Sequence, residues 1–220
     1  VQSLSKSGVD IIEMGFKSPL KGGRYRKCND SFIRDIVGDC STDLAFMIDA
    51  KDFINGEVDV NLLKDIVKPS SESPFTYCRL AITPQQIKEA LIMIDLLDGL
   101  GYKEISDMFK ETGKDIGIHT HDNLGLAFAN SIEAHNNDVK FIDGTLTGMG
   151  RGVGNVRIEQ LLMFFKYDYK HITDFVENEM LPMKNKYGWG WNHNYMLTGL
   201  KEIHPTYCQR LQSLPIRDSK

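Results

Sequence analysis

The sequence predicts an α/β fold with parallel strands, on three observations. Apolar runs at 9–16, 43–49, 75–82, 115–121 and 139–146 read as strands. Segments with helical spacing lie among them, most clearly a long amphipathic one opened by Thr83-Pro84 and closed by Gly101, with proline in its first turn and glycine past its end. The third is the order strand, helix, strand, glycine loop between 115 and 155, which is the repeating unit of a parallel α/β protein. In such folds ligands gather at the carboxyl ends of the strands.

Taken in order, residues 1–8 end a helix that Gly8 stops, and 9–16 form a strand with one acid, Glu13, in an apolar setting. A carboxylate there needs a partner, because an isolated buried charge is costly. The loop 17–30 is dense in Lys, Arg and Gly, and Lys21, Arg24, Arg26 and Lys27 could meet an anionic substrate or stand solvated. Residues 31–37 read as a short helix, 43–49 as a strand, 58–67 as a helix and 69–74 as a break. The strand 75–82 carries Arg79, whose guanidinium requires an anion, either a protein carboxylate or a substrate. After the long helix, 103–110 begins another helical segment.

The run Ile116-Gly117-Ile118-His119-Thr120-His121-Asp122-Asn123 ends a strand in polar residues. Alternate side chains of a strand share a face, so His119 and His121 project together and Thr120 faces away. The pair is either half a metal site or two hydrogen-bonded core histidines; with oxygen donors added it suits Mn, Co, Zn or Mg. A helix follows over 124–135, with Asp122 or Asn123 placed to cap it. Strand 139–146 then leads into Thr147-Gly148-Met149-Gly150-Arg151-Gly152-Val153-Gly154-Asn155, too rich in glycine for helix or strand.

HTHDNLGLAFANS followed by IDGTLTGMGRGVGN resembles the superfamily of metal-dependent carbon-carbon lyases and synthases that includes HMG-CoA lyase, 4-hydroxy-2-oxovalerate aldolase and isopropylmalate synthase. The resemblance implies a TIM (β/α)8 barrel with a divalent metal (Mn, Mg, Co or Zn) at its top. His119 and His121 match the metal-binding histidines of the family's strand seven, and Asn155 matches the asparagine that completes the site in some members. Glu13, Asp122 and Arg79 are the candidate catalytic residues, Glu13 and Asp122 as groups that orient ligands or water and Arg79 as a substrate contact. The glycine loop lacks the cysteine of HMG-CoA lyase, which turns the resemblance toward the aldolases. The implied activity is that of an aldolase or lyase acting on a small pyruvate-type 2-oxo acid through a metal-stabilised enolate. The alternatives are a Claisen-type synthase using an acyl-CoA and a barrel kept as a non-catalytic binding module.

Against that barrel the sequence is incomplete. Strands one, five and six have no counterpart, and segments are expected to be missing before Val1 and near 102–103, the family's strand-one Arg-Asp pair among them. The barrel domain is read as 1–168, ending in a helix over 158–165, and a helical extension as 169–220. The extension concentrates Trp189 and Trp191 among aromatics that either dock it onto the barrel or face a partner, with a homodimer through the extension as one form. A net charge of -4 gives no basic field for nucleic acid. No apolar run is long enough to cross a bilayer and the first residues lack a signal-peptide plan, which predicts a cytoplasmic protein without a membrane partner. Cys28, Cys40, Cys78 and Cys208 are scattered and read as reduced thiols.

Overall fold

The structure is a computed structural model that describes residues 1–19, 28–105 and 117–212. It divides into two compact units, Val1–Ile116 and Gly117–Lys220.

In the first unit, α1 (Gln2–Lys6) ends before Gly8, whose φ of 81° turns the chain into β1 (Ile11–Phe16). Next come α2 (Asp30–Val37) and β2 (Asp43–Asp49), then a small antiparallel hairpin of β3 (Ile54–Asn55) and β4 (Glu57–Val58). They are followed by α3 (Val60–Ile66), β5 (Tyr77–Ala81), α4 (Ile87–Gly99) and β6 (Lys103–Ile105). The strands β1, β2, β5 and β6 form one parallel sheet in that order. A single turn, Pro84–Gln86, precedes α4, and Thr83 and Gln86 close a reciprocal capping box that satisfies donors at the helix start.

Alternation along the strands sorts the side chains. Ile12, Leu44, Phe46, Ile48 and Cys78 join Ile33 and Val37 of α2, Leu63 of α3 and Met93 and Leu97 of α4 in one core. Phe46 is fully buried and meets Phe75 and Tyr102 edge-on, each with ring centroids 5.2 Å apart; burying a side chain of this size contributes about 1.5–3 kcal/mol. The Lys17 ammonium also lies in this core, 2.6 Å from Asp30 Oδ1 and 4.6 Å from the Phe46 ring centre, so both an ion pair and an aromatic face compensate its burial. Burial pushes the Cys28 thiol up to about 11, as an inert structural thiol requires.

Two expectations are corrected here. Glu13 is not buried: it alternates with Ile12, takes the opposite face of β1 and is exposed. Residues 103–105 are a strand and not a helix, because their backbone pairs in parallel with Tyr77, Cys78 and Arg79. Gly101 (φ 83°) turns the chain from α4 toward this strand, Tyr102 N–H bonding to Leu97 O and Lys103 N–H to Thr76 O. A strand thus follows β5 where none was expected. The remainder of the expected helix to 110, and the cations Lys21, Arg24, Arg26 and Lys27, lie outside the described residues.

In the second unit, β7 (Gly117–Ile118) and β8 (Phe141–Ile142) pair in parallel on either side of α5 (Ala127–Asn136). Then come α6 (Ile158–Phe164) and α7 (Lys170–Phe175), the latter continued by a π-helical turn, Val176–Met180, into α8 (Leu181–Tyr187). The chain closes with α9 (His193–Leu200) and α10 (Pro205–Gln212). Among the described residues no helix is long and apolar enough to cross a membrane.

Candidate functional site

The register of the β7–β8 pair builds the site. Ile118 stands opposite Ile142, and Asp143 N–H bonds to Ile118 O at 3.0 Å, which carries His119 alongside Asp143 just past the strand ends. His119 Nδ1 lies 3.0 Å from Asp143 Oδ2. A carboxylate only accepts, so Nδ1 carries the hydrogen, and in the neutral ring Nε2 is then the nitrogen with the lone pair. This is the hydrogen bond with which proteins orient a metal-binding imidazole.

Thr120 faces away as alternation requires: it is buried, and its hydroxyl lies 2.9 Å from Ser131 Oγ on α5. His119 and His121 share the other face, their rings edge to face with centroids 5.0 Å apart. His121 Nδ1 approaches Gly154 O at 3.4 Å. Although much of the residue is open to solvent, loss of hydration around the ring, with smaller contributions from His119 and Arg151, holds its pKa below the usual 6.5. That favours the neutral ring, the form that binds a metal.

The glycine loop comes back along the histidine strand. Val156 N–H bonds to Thr120 O, Asp122 N–H bonds to Gly154 O, and His121 and Asn155 form an antiparallel bridge. The Asn155 amide is buried and its Nδ2 donates to Met149 O at 3.2 Å, yet Oδ1 has no hydrogen-bond partner. Leaving such an acceptor unsatisfied costs about 1–3 kcal/mol, which makes it a donor atom suited to a bound cation. The glycines shape this cradle by close approach. A Cβ on Gly154 would sit 2.1 Å from Gly148 O, and one on Gly150 would sit 2.8 Å from Asn155 Nδ2.

Of the residues predicted from the sequence, His119, His121 and Asn155 thus fall on adjoining strands and loop of the second unit. Their chemistry fits a divalent ion: two neutral imidazoles and an unpaired amide oxygen are a mixed nitrogen and oxygen donor set. Among the described residues no group of three or more His, Cys, Asp or Glu is placed to hold a metal, so the set depends on the amide. The N-cap position of α5 is Leu126, and not Asp122 or Asn123 as expected, but Asp122 Oδ1 accepts from Ala127 N–H at 3.1 Å and so satisfies a free donor of the first turn from outside the helix. Glu13 and Arg79 lie in the first unit and hold each other: Arg79 Nε and Nη2 donate to the two Glu13 oxygens at 2.7 and 2.9 Å, spanning β2. The small Ala45, registered with Glu13, leaves room for that reach.

Asp143 is the residue that sequence reasoning missed. Its signal is present as the acid within the predicted strand 139–146, one helix after the H-x-H, but only the register shows that it faces His119.

Comparison with known proteins places part of the chain beside a described family. Residues 84–180 match the family model described as HMGL-like, and this segment holds both motifs together with His119, His121 and Asn155. The chain is similar to a 4-hydroxy-2-oxovalerate aldolase of Mycobacteroides abscessus, 36% identical over 126 residues that cover 46% of this chain and 35% of the relative. It is also 40% identical over 73 residues to an oxaloacetate decarboxylase of Mycobacterium tuberculosis, covering 30% of this chain and 22% of the relative. The chain therefore spans about a third or less of the length of these curated relatives. In fold it is similar to the crystal structure of the N-terminal domain of a candidate aldolase from Bacteroides vulgatus, with a TM-score of 0.82 and 21% identity over 97% of this chain and 89% of that one.

Proposed function

We propose that this chain belongs to an aldolase or lyase that makes or breaks a carbon-carbon bond beside the carbonyl of a pyruvate-type 2-oxo acid, on a (β/α)8 barrel. The observation that carries the reading is the buried, unpartnered Oδ1 of Asn155 on the loop bridged to His121. His119, His121 and Asn155 would hold a divalent ion, with manganese as the first candidate. Such an ion supplies Lewis-acid polarisation of the keto oxygen and so favours the enolate.

The protein's own groups supply orientation. Asp143 fixes the His119 tautomer through Nδ1, and Gly154 O does the same for His121. Asp122 fixes the start of α5, from which Ser131 holds Thr120 and with it the side-by-side projection of the imidazoles. Both Glu13 oxygens already accept from Arg79, so we assign the pair to holding β1 and β5 in the first unit and not to proton transfer.

The test is a Mn2+ titration of the purified protein followed by deuterium exchange into the methyl group of pyruvate. Saturable uptake and metal-dependent exchange are expected. Uptake without exchange would favour a binding module, acetyl-CoA consumption would favour a synthase, and no uptake at all would remove the metal reading.

A further inference from the structure

The glycine loop does not hold its own shape. Gly148, Gly152 and Gly154 have φ of 66°, 65° and 82°, and Thr147, a non-glycine, has 53°. Glycine visits such values freely and loses the most conformational freedom when fixed in one of them. Some restraints are local: Asn155 N–H bonds to Gly148 O, and Glu159 Oε1 accepts from Thr147 N–H at 2.7 Å. Others come from the far end of the chain. The Trp189 indole N–H donates to Thr147 O at 3.3 Å, and Gly190 N–H bonds to Gly152 O at 3.1 Å. The Tyr195 ring, 5% exposed, packs with Val153 and Cys208 and lies against Gly152 so closely that a Cβ there would be 3.1 to 3.3 Å from its atoms.

We propose that Trp189 and Tyr195 are positioning residues for the cation site, gripping the glycine loop so that Asn155 presents its amide oxygen. The path runs through the backbone: Trp189 fixes Thr147, Tyr195 and Gly190 fix Gly152, and between them lie Gly148 and Met149, whose carbonyls accept from the Asn155 main chain and side chain respectively. The segment after α8 is on this account part of the site and not only an appendage. The inference rests on the reading of His119, His121 and Asn155 as metal ligands.

The experiment compares the parent protein with Trp189→Phe, which keeps an aromatic ring and removes the N–H donor, and with Gly152→Ala, which drives a methyl group against Tyr195. Mn2+ affinity and amide hydrogen exchange of the metal-free proteins are both measured. Affinity is expected to fall roughly tenfold in Trp189→Phe, the lower end of what groups that orient a metal ligand contribute, and further in Gly152→Ala. Exchange across 147–155 should accelerate in both while that of α5 and α6 stays at the parent value, which separates a loosened loop from a destabilised unit. Parent-like exchange in both variants overturns the inference, as does faster exchange with affinity within twofold of the parent. Should the parent bind no Mn2+, the metal reading fails by itself, and with it the claim on Asn155; exchange then still decides whether the loop is gripped.

Discussion

Two polar clusters, one in each unit, treat their groups in opposite ways. In the first, Arg79 and Glu13 spend two donors and both carboxylate oxygens on each other, and Lys17 finds Asp30. In the second, two imidazoles keep a lone pair each, and a buried amide oxygen bonds to nothing. Buried side-chain oxygens without a hydrogen-bond partner occur in both units, Ser7 Oγ and Glu89 Oε2 in the first among them, but the Asn155 oxygen lies on a loop bridged to one of a pair of imidazoles. Residual capacity gathered beside other ligand-type groups, and not polarity alone, is what marks a ligand site.

Replacing both His119 and His121 by alanine breaks the second arrangement most deeply. Mn2+ affinity should fall at least a hundredfold, beyond the loss expected for a residue that only orients a ligand, while the unfolding midpoint changes little because both rings are partly exposed. Isothermal titration and thermal melting check the two halves. An equal loss of stability would return the pair to the role of ordinary core histidines.

Removing one partner of the first arrangement should show up in stability. Arg79→Ala is expected to cost about 2 kcal/mol in urea unfolding, less than the 3–5 found for a fully buried pair, since the Glu13 side chain is 32% exposed and water can solvate it. Glu13→Ala should cost a similar amount, and the double variant less than the two together, because each single change strands a charge. Strict additivity would show that the two side chains do not depend on one another.

Asp143→Asn sharpens the comparison at the boundary between orientation and binding. The amide can still bond to His119 Nδ1, but it can also present N–H and so loses the certainty of the tautomer. About a tenfold loss of metal affinity with an unchanged fold is expected; unchanged affinity would make the contact incidental.

How far the sequence reveals this follows from the range of each interaction. The H-x-H alternation is local, and the opposite placements of Thr120 and the histidines follow from strand geometry alone. The aim of Asn155 was legible only through the resemblance, since it depends on glycines that tolerate close approach in a way no periodicity encodes. Asp143 stayed hidden because it needs a register between strands separated by a helix. Strand β6 was missed for a similar reason: Lys103 and Glu104 give no apolar alternation, and pairing with β5 makes them a strand. Glu13 looked buried because its neighbours are apolar, whereas the helical core covers only the alternate side chains of β1. The grip of Trp189 and Tyr195 on the glycine loop joins segments more than thirty residues apart, and composition shows only that aromatics gather there.

Asp122 belongs by position to the second arrangement and by bonding to the first, and the smallest expected effect tests which classification holds. Its carboxylate accepts from Ala127 N–H at the start of α5, a donor with no partner inside the helix. Asp122→Ala should therefore cost about 1 kcal/mol, the usual loss for an N-terminal cap. Asp122→Asn keeps an acceptor oxygen and should stay within a few tenths of a kcal/mol of the parent. If capping is the whole role, pyruvate exchange by Asp122→Asn matches the parent. If the carboxylate also orients a ligand or water, Asp122→Asn stays as stable as the parent and exchanges more slowly, because a cap needs only an acceptor whereas an anion acting on the reacting groups also needs its charge.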